Sequence, residues 1–363
     1  MINKLYILLF ILCSSLVLNA QHTEISIHDE SFFINGKPTY EGRVWNGKKI
    51  EGLLMNSRMV QGIFDDLNPS TRHLFKYPDT GVWDPNRNTQ EFIDAMDDWY
   101  NHGLLCVVLN MQGGNPRGYG KSMGWKNSAY NSDGTLRNDY LDRLRKIIDR
   151  ADNLGMVVML GYFYFGSDQF LEDENSVINA TKNITEWILK NNYTNVIVEV
   201  ANECDLPYYD HRILNEKGIT ELIELIKSIQ VEGRRLLVST SFSGGNVPSE
   251  RVISTSDFVL LHGNGVEKPE KIREMIHKTR ASEGYTPKPI LINEDDHFDF
   301  ETHESNFTAA VSEYVSWGYF DYRMEGEGYD DGFQSVPVNW KISSERKKSF
   351  FDKVKEITGG ANF

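Results

Sequence analysis

Eight short apolar runs alternate with amphipathic ones along most of this chain, and no other feature narrows its fold so far. The apolar runs fall at 52–58, 104–110, 156–163, 195–203, 235–241, 257–263, 288–295 and 319–324. Amphipathic segments predict helices at 89–103, 139–155, 177–192, 218–233, 269–284, 303–318 and near 344–358. Runs such as "MVVMLGYF" carry almost no alternating polar positions, the pattern of strands buried on both faces. Such strands, alternating with helices, form a parallel sheet covered by helices. Eight units of this kind predict an α/β fold closed into a (β/α)8 TIM barrel. An open doubly wound sheet is the rival, but no Gly-x-Gly-x-x-Gly turn follows an early strand.

Ahead of the barrel, "EISIHDESFFINGKPTY" reads as a short β-hairpin at about 24–40, with Asn35-Gly36 as a turn. Residues 1–20 are of another kind: Lys4, then "LYILLFILCSSLVL", then Ala20. A basic start, an apolar middle and a small residue for cleavage make a secretory signal peptide cut near Ala20, too short for a membrane span. The expectation is a secreted or periplasmic protein with a single catalytic domain over 21–363. Its net charge of −14 argues against nucleic acid and anionic membrane as partners. Only Cys106 and Cys204 follow the leader, too few for a disulfide scaffold, and both are expected to be free and buried.

Catalytic groups of such barrels gather where the strands end, because the loops there form one concave face. The residues closing these strands include Arg58, Asn110, Tyr162, Tyr164, Asn202, Glu203, His262, Asn264, Glu294 and Arg323. A face that collects carboxylates, amides, Arg and His handles small polar molecules. Glu203 closes the fourth strand in "NVIVEVANECD" and Glu294 the seventh in "KPILINED", so the two face each other across the mouth. Asp205, Asp295 and Asp296 read as loop and cap residues. The long polar insert "NMQGGNPRGYGKSMGWKNSAYNSDG" at 110–134 is too large for a simple connection. It is expected to wall a cleft, with Trp125 as an aromatic platform.

On Asn202-Glu203 at strand four and Glu294 at strand seven, the chain resembles the clan of retaining glycoside hydrolases that includes the family 5 cellulases and mannanases. That resemblance implies hydrolysis of O-glycosidic bonds in a poly- or oligosaccharide, with Glu203 as acid/base and Glu294 as nucleophile. It implies a substrate contact for Asn202 at the sugar 2-hydroxyl and a place in the site for His262. Arg58, if it reaches Glu294, would favour its ionised form. Asn110, Tyr162, Tyr164, Trp125 and Arg323 complete the expected substrate-binding set. The chain departs from family 5 in lacking a Trp at the end of strand eight and in carrying His262-Gly263-Asn264 where His-x-Tyr is usual. The partner expected is a carbohydrate, with no cofactor and no metal. Two other readings remain: a metal-dependent sugar isomerase or epimerase using Glu203, Glu294, His262 and Asp296, and a non-catalytic carbohydrate-binding barrel.

Overall fold

The structure, a computed structural model, describes residues 22–119 and 123–361. The expected signal peptide lies outside the described residues. The barrel strands are β1 Asn56–Arg58, β2 Cys106–Asn110, β3 Val157–Tyr164, β4 Val196–Asn202, β5 Leu237–Ser239, β6 Val259–His262, β7 Ile290–Glu294 and β8 Gly318–Tyr319. Six of them pair in the order β5-β4-β3-β2-β1-β8, and β6 pairs in parallel with β7. The Ile292 amide donates to Ser316 O at 2.8 Å and joins β7 to the start of β8. The Asp257 amide donates to Val238 O at 2.9 Å and joins β5 to the approach of β6. The ring is thus the (β/α)8 barrel that the strand pattern predicts.

Among the described residues eight α-helices cover it: α1 Pro85–Asn101, α2 Asn138–Leu154, α3 Glu174–Lys190, α4 Ile219–Ser228, α5 Glu250–Thr255, α6 Pro269–Arg280, α7 Asn306–Ser312 and α8 Glu345–Thr358. The Asp84 side chain accepts from the amides of Asn86 and Arg87, and Pro85 opens the first turn, so α1 starts where its free amides have a partner. In α2, Leu141, Leu144, Ile147, Ile148 and Ala151 are buried on one stripe, and Gly155 ends it at φ 79°. Helix α5 has no counterpart among the predicted helices, since six residues are too few to show a period. Strand β8 is shorter than the apolar run at 319–324 suggested. After Tyr319 the Phe320 amide turns to Asp295 O at 2.8 Å, and the chain leaves the sheet.

The N-terminal segment forms a three-stranded antiparallel sheet, Ile25–His28, Ser31–Ile34 and Lys37–Pro38. The Ile25 amide donates to Thr194 O at 3.0 Å and that of Phe32 to Gly52 O at 2.8 Å. Phe32 is fully buried, its ring 6.1 Å from that of Phe258. Thr194, Gly52 and Phe258 all stand just before barrel strands, so this small sheet seals the amino-terminal pole and leaves the opposite pole as the mouth. Cys106 and Cys204 are free and buried.

Candidate active site

Glu203 follows the last residue of β4 with a left-handed backbone, φ 52°. That conformation costs a non-glycine residue about 1–2 kcal/mol. It is held by the Glu203 amide, which donates to Ser241 Oγ at 2.9 Å just beyond β5. Glu294 is the last residue of β7. A bulge between Leu261 and His262 shifts the β6 register so that His262 stands opposite Glu294. One oxygen of each carboxyl and a ring nitrogen of His262 lie within 4.8 Å of one another.

Beneath them lies Arg58, with a side chain almost sealed from water. Its Nε is 2.5 Å from Glu294 Oε2 and its Nη1 3.4 Å from Glu199 Oε2. Its Nη2 donates to Asn202 Oδ1 at 2.6 Å. His262 Nδ1 is 3.0 Å from Glu203 Oε1 and 3.8 Å from Glu294 Oε2, and its Nε2 is 3.8 Å from Glu199 Oε1. Burial alone would raise Glu199, but Arg58 and His262 prevail and hold it at about 2. Burial likewise works against a charge on His262, yet Glu294, Glu199 and Glu203 lift it to about 10. Burial raises Glu294 above its ordinary range, opposed by Arg58 and His262 and assisted by Glu203 and Glu199. Two buried cations thus face three carboxyls. The cluster is neutral when one of the three carboxyls holds a proton.

Above this cluster opens a cavity of about 450 Å³, lined among others by Glu203, Glu294, Tyr164, Trp125 and Phe320. The insert after β2 walls it with Gly113, Gly114, Asn115 and Tyr119. Gly113, at φ 66°, has no side chain because Tyr164 lies against it. Phe320, one residue past β8, presents an aromatic ring where the sequence shows no Trp. Asn264 Nδ2 donates to Glu294 Oε1 at 2.7 Å and to Tyr119 Oη at 2.9 Å. Tyr119 Oη in turn donates to Asp296 Oδ2 at 2.9 Å.

The expected residues divide accordingly. Glu203, Glu294, Tyr164 and Trp125 line the cavity, while Arg58 and Asn202 brace the carboxylates from below. His262 is completely buried, so it acts on Glu203 and has no face for a substrate. Asn110 is buried under the insert, its amide without a partner among the described residues. Tyr162 does not reach the cavity. On β3 it faces the helical layer, and its hydroxyl meets Thr185 of α3 at 3.2 Å. Arg323 does not reach it either, because β8 ends four residues earlier. Its guanidinium clamps the following loop through Asp331 O at 3.2 Å and Pro337 O at 2.7 Å.

Three residues of the cluster were not singled out for a role by the sequence. Glu199 interrupts the otherwise apolar "VIVEVAN", and a charge inside a buried strand is itself a signal of a buried partner. Asn264 stood among the strand-end residues without a target. Tyr119 sits in an irregular loop, where no periodicity points to it.

The family model described as Cellulase (glycosyl hydrolase family 5) matches residues 67–240. No curated protein gives a significant sequence match. Among solved structures, the endo-1,4-beta-mannanase from Rhizomucor miehei is 14% identical with a TM-score of 0.55, over 93% of this chain and 99% of that one. The xyloglucan-specific endo-beta-1,4-glucanase XEG5A, from a metagenomic library, is 15% identical with a TM-score of 0.52, over 85% and 96%. A longer protein from Bacteroides vulgatus is 13% identical with a TM-score of 0.53 over 90% of this chain, which spans 59% of that protein's length.

Proposed function

We propose that this chain is a divergent glycoside hydrolase related to the family 5 cellulases, and that it cleaves its glycosidic bond with retention, Glu294 as nucleophile and Glu203 as acid/base. The observation that carries this reading is the approach of the two carboxyls within 4.8 Å over an open cavity. Retaining enzymes hold theirs about 5–5.5 Å apart, and inverting ones leave about 6.5–9.5 Å for a water.

In the first step Glu203 gives its proton to the leaving oxygen while Glu294 bonds to the anomeric carbon. Forming that ester removes the negative charge that Glu294 presented to Glu203, which then accepts a proton from the incoming water. Arg58 and Asn264 hold the two oxygens of Glu294 from different sides and fix its line of attack. Arg58 also holds Asn202 Oδ1, which leaves the amide's NH2 as the donor for a sugar hydroxyl. Tyr164, Trp125 and Phe320 supply apolar surface for sugar faces.

The same Glu203, His262 and Glu294 have the spacing of a metal site. A guanidinium 2.5 Å from Glu294 and a histidine held charged would both repel a divalent cation there, which disfavours the isomerase reading. The substrate we propose is a neutral gluco- or manno-oligosaccharide, after the names of the mannanase and glucanase neighbours. The apolar leader at 1–20 supports an exported, secreted or periplasmic enzyme.

The test is reducing-end release from mannans, β-glucans, xyloglucan and aryl glycosides by the leaderless protein, with Glu203→Gln, Glu294→Gln and an EDTA-treated sample alongside. Loss in both variants with EDTA inert is the expected result. Full activity in either variant rejects the assignment, and loss with EDTA redirects it to a metal.

A further inference from the structure

We infer that Tyr119 closes the glycone side of the cleft one sugar away from the nucleophile, so that the enzyme removes units from a chain end instead of cutting within the chain. This rests on the assignment of Glu203 and Glu294 above, because that assignment gives the cleft a direction. The acid stands beside the leaving group and the nucleophile beside the sugar that is retained. The leaving group therefore lies toward Glu203 and the loops after β3 and β4. The retained sugar lies toward Glu294, Asn264 and Phe320.

On that second side the mouth is barred. Tyr119 belongs to the insert after β2, yet its hydroxyl bonds to Asn264 beyond β6 and to Asp296 beyond β7, each at 2.9 Å. Its ring packs at 5.5 Å on Phe320 and 4.4 Å on Tyr322, both beyond β8. The insert is also fastened to the loop after β8. The Val336 amide donates to Pro116 O at 2.8 Å, and the Gln334 side chain donates to Gly114 O. One wall thus runs from β2 past β8 to β6. Because Asn264 donates to both Glu294 and Tyr119, that wall stands two hydrogen bonds from the nucleophile. A single sugar ring has room there, and a second, continuing chain meets the tyrosine.

The hydroxyl of Tyr119 and the carboxylate of Asp296 give this wall a polar face. A terminal sugar offers free hydroxyls to such a face, whereas an internal sugar carries a further residue at that position. On the leaving-group side, among the described residues, the loops bond to those of adjacent strands, as in Gly166 N to Tyr208 O at 3.3 Å and Asp210 N to Asp168 Oδ2 at 2.8 Å. There Phe165 and the exposed Tyr208, with ring centres 6.0 Å apart, line the way out. An outgoing chain can extend over these rings by stacking.

The experiment uses cellohexaose and mannohexaose labelled at the reducing end, digested by the leaderless wild-type protein, by Tyr119→Ala and by Tyr119→Phe. Labelled pentaose as the first product, followed by labelled tetraose, is expected from the wild type. Tyr119→Ala opens the wall and should raise the share of labelled di- and trisaccharide among first products several-fold. Tyr119→Phe keeps the ring and should stay closer to the wild type. Labelled di- and trisaccharide as the first products of the wild type, or an unchanged pattern in Tyr119→Ala, would overturn the inference while leaving the two-carboxylate assignment intact. Hydrolysis of neither hexaose by the wild type, joined to inert aryl glycosides, would reject that assignment and the inference with it.

Discussion

Arg58 Nε stands 2.5 Å from Glu294 Oε2 while the same guanidinium reaches Glu199 and Asn202, so one buried cation serves both strands that carry the facing carboxyls. Its removal leaves Glu294 and Glu199 buried without their guanidinium, with His262 as the remaining cation. Arg58→Met should cost about 3–5 kcal/mol of stability, the usual result of deleting one member of a buried pair. It should also lower turnover of an aryl glycoside by 10²-fold or more. Urea unfolding at pH 7 measures the first. A loss below about 1 kcal/mol would mean that the cluster relaxes or takes up water.

The two carboxyls can be told apart by the leaving group. A dinitrophenolate departs without help from an acid, so Glu203→Ala should still form the glycosyl ester with a dinitrophenyl glycoside and then stall. Stopped-flow absorbance should show a burst followed by turnover roughly 10²–10⁴-fold below that of the wild type. Glu294→Ala should give no burst. A burst in the Glu294 variant instead would reverse the two roles.

Stability should fall at both ends of the pH scale, for opposite reasons. His262 is raised to about 10 in the fold, so its contribution is whole below its unfolded value near 6.5. That contribution is lost as pH rises through 10. Glu199 is held at about 2, so its contribution is present above about 4.5 and lost as pH falls through 2. Thermal melts from pH 3 to 10 should show an alkaline decline that His262→Gln lacks and an acid decline that Glu199→Gln lacks. Parallel curves for all three proteins would remove these groups from the account.

The left-handed backbone of Glu203 makes a prediction of unusual sign. At an ordinary position glycine is less stable than alanine, but at φ 52° the alanine Cβ is the strained partner. Glu203→Gly should therefore be more stable than Glu203→Ala by about 1 kcal/mol, both being inactive on unactivated sugars. Urea midpoints decide it, and the opposite order would show that the turn relaxes once the carboxylate is gone.

Much of this site was legible in the sequence because a barrel sends catalytic groups to strand ends, and strand ends can be read from apolar runs. Glu203, Glu294, Arg58 and Asn202 come from that rule, and the structure brings them together. The rule fails where a strand stops early or leaves its pleat. Tyr162 and Tyr164 are two residues apart and should share a face, yet one meets Thr185 of α3 and the other the cavity. Arg323 was misread through an apolar run that outlasts its strand. Glu199 was overlooked for the opposite reason: it lies inside a strand, where attention goes to packing. Tyr119 acts through a loop whose course depends on partners more than 140 residues away in sequence, and no local pattern encodes that.

The small sheet at residues 25–38 carries a last consequence. His22 and Thr23 are pinned by their amides to Asp152, at 2.7 to 3.0 Å, and the strands that follow cover the pole away from the sugar face. Whatever is joined to the chain ahead of Thr23, be it an affinity handle, a solid support or a second folded module, emerges on the far side of the molecule. Immobilised by that end, the protein would present its cavity outward, and a long polymer could approach without meeting the surface that holds it.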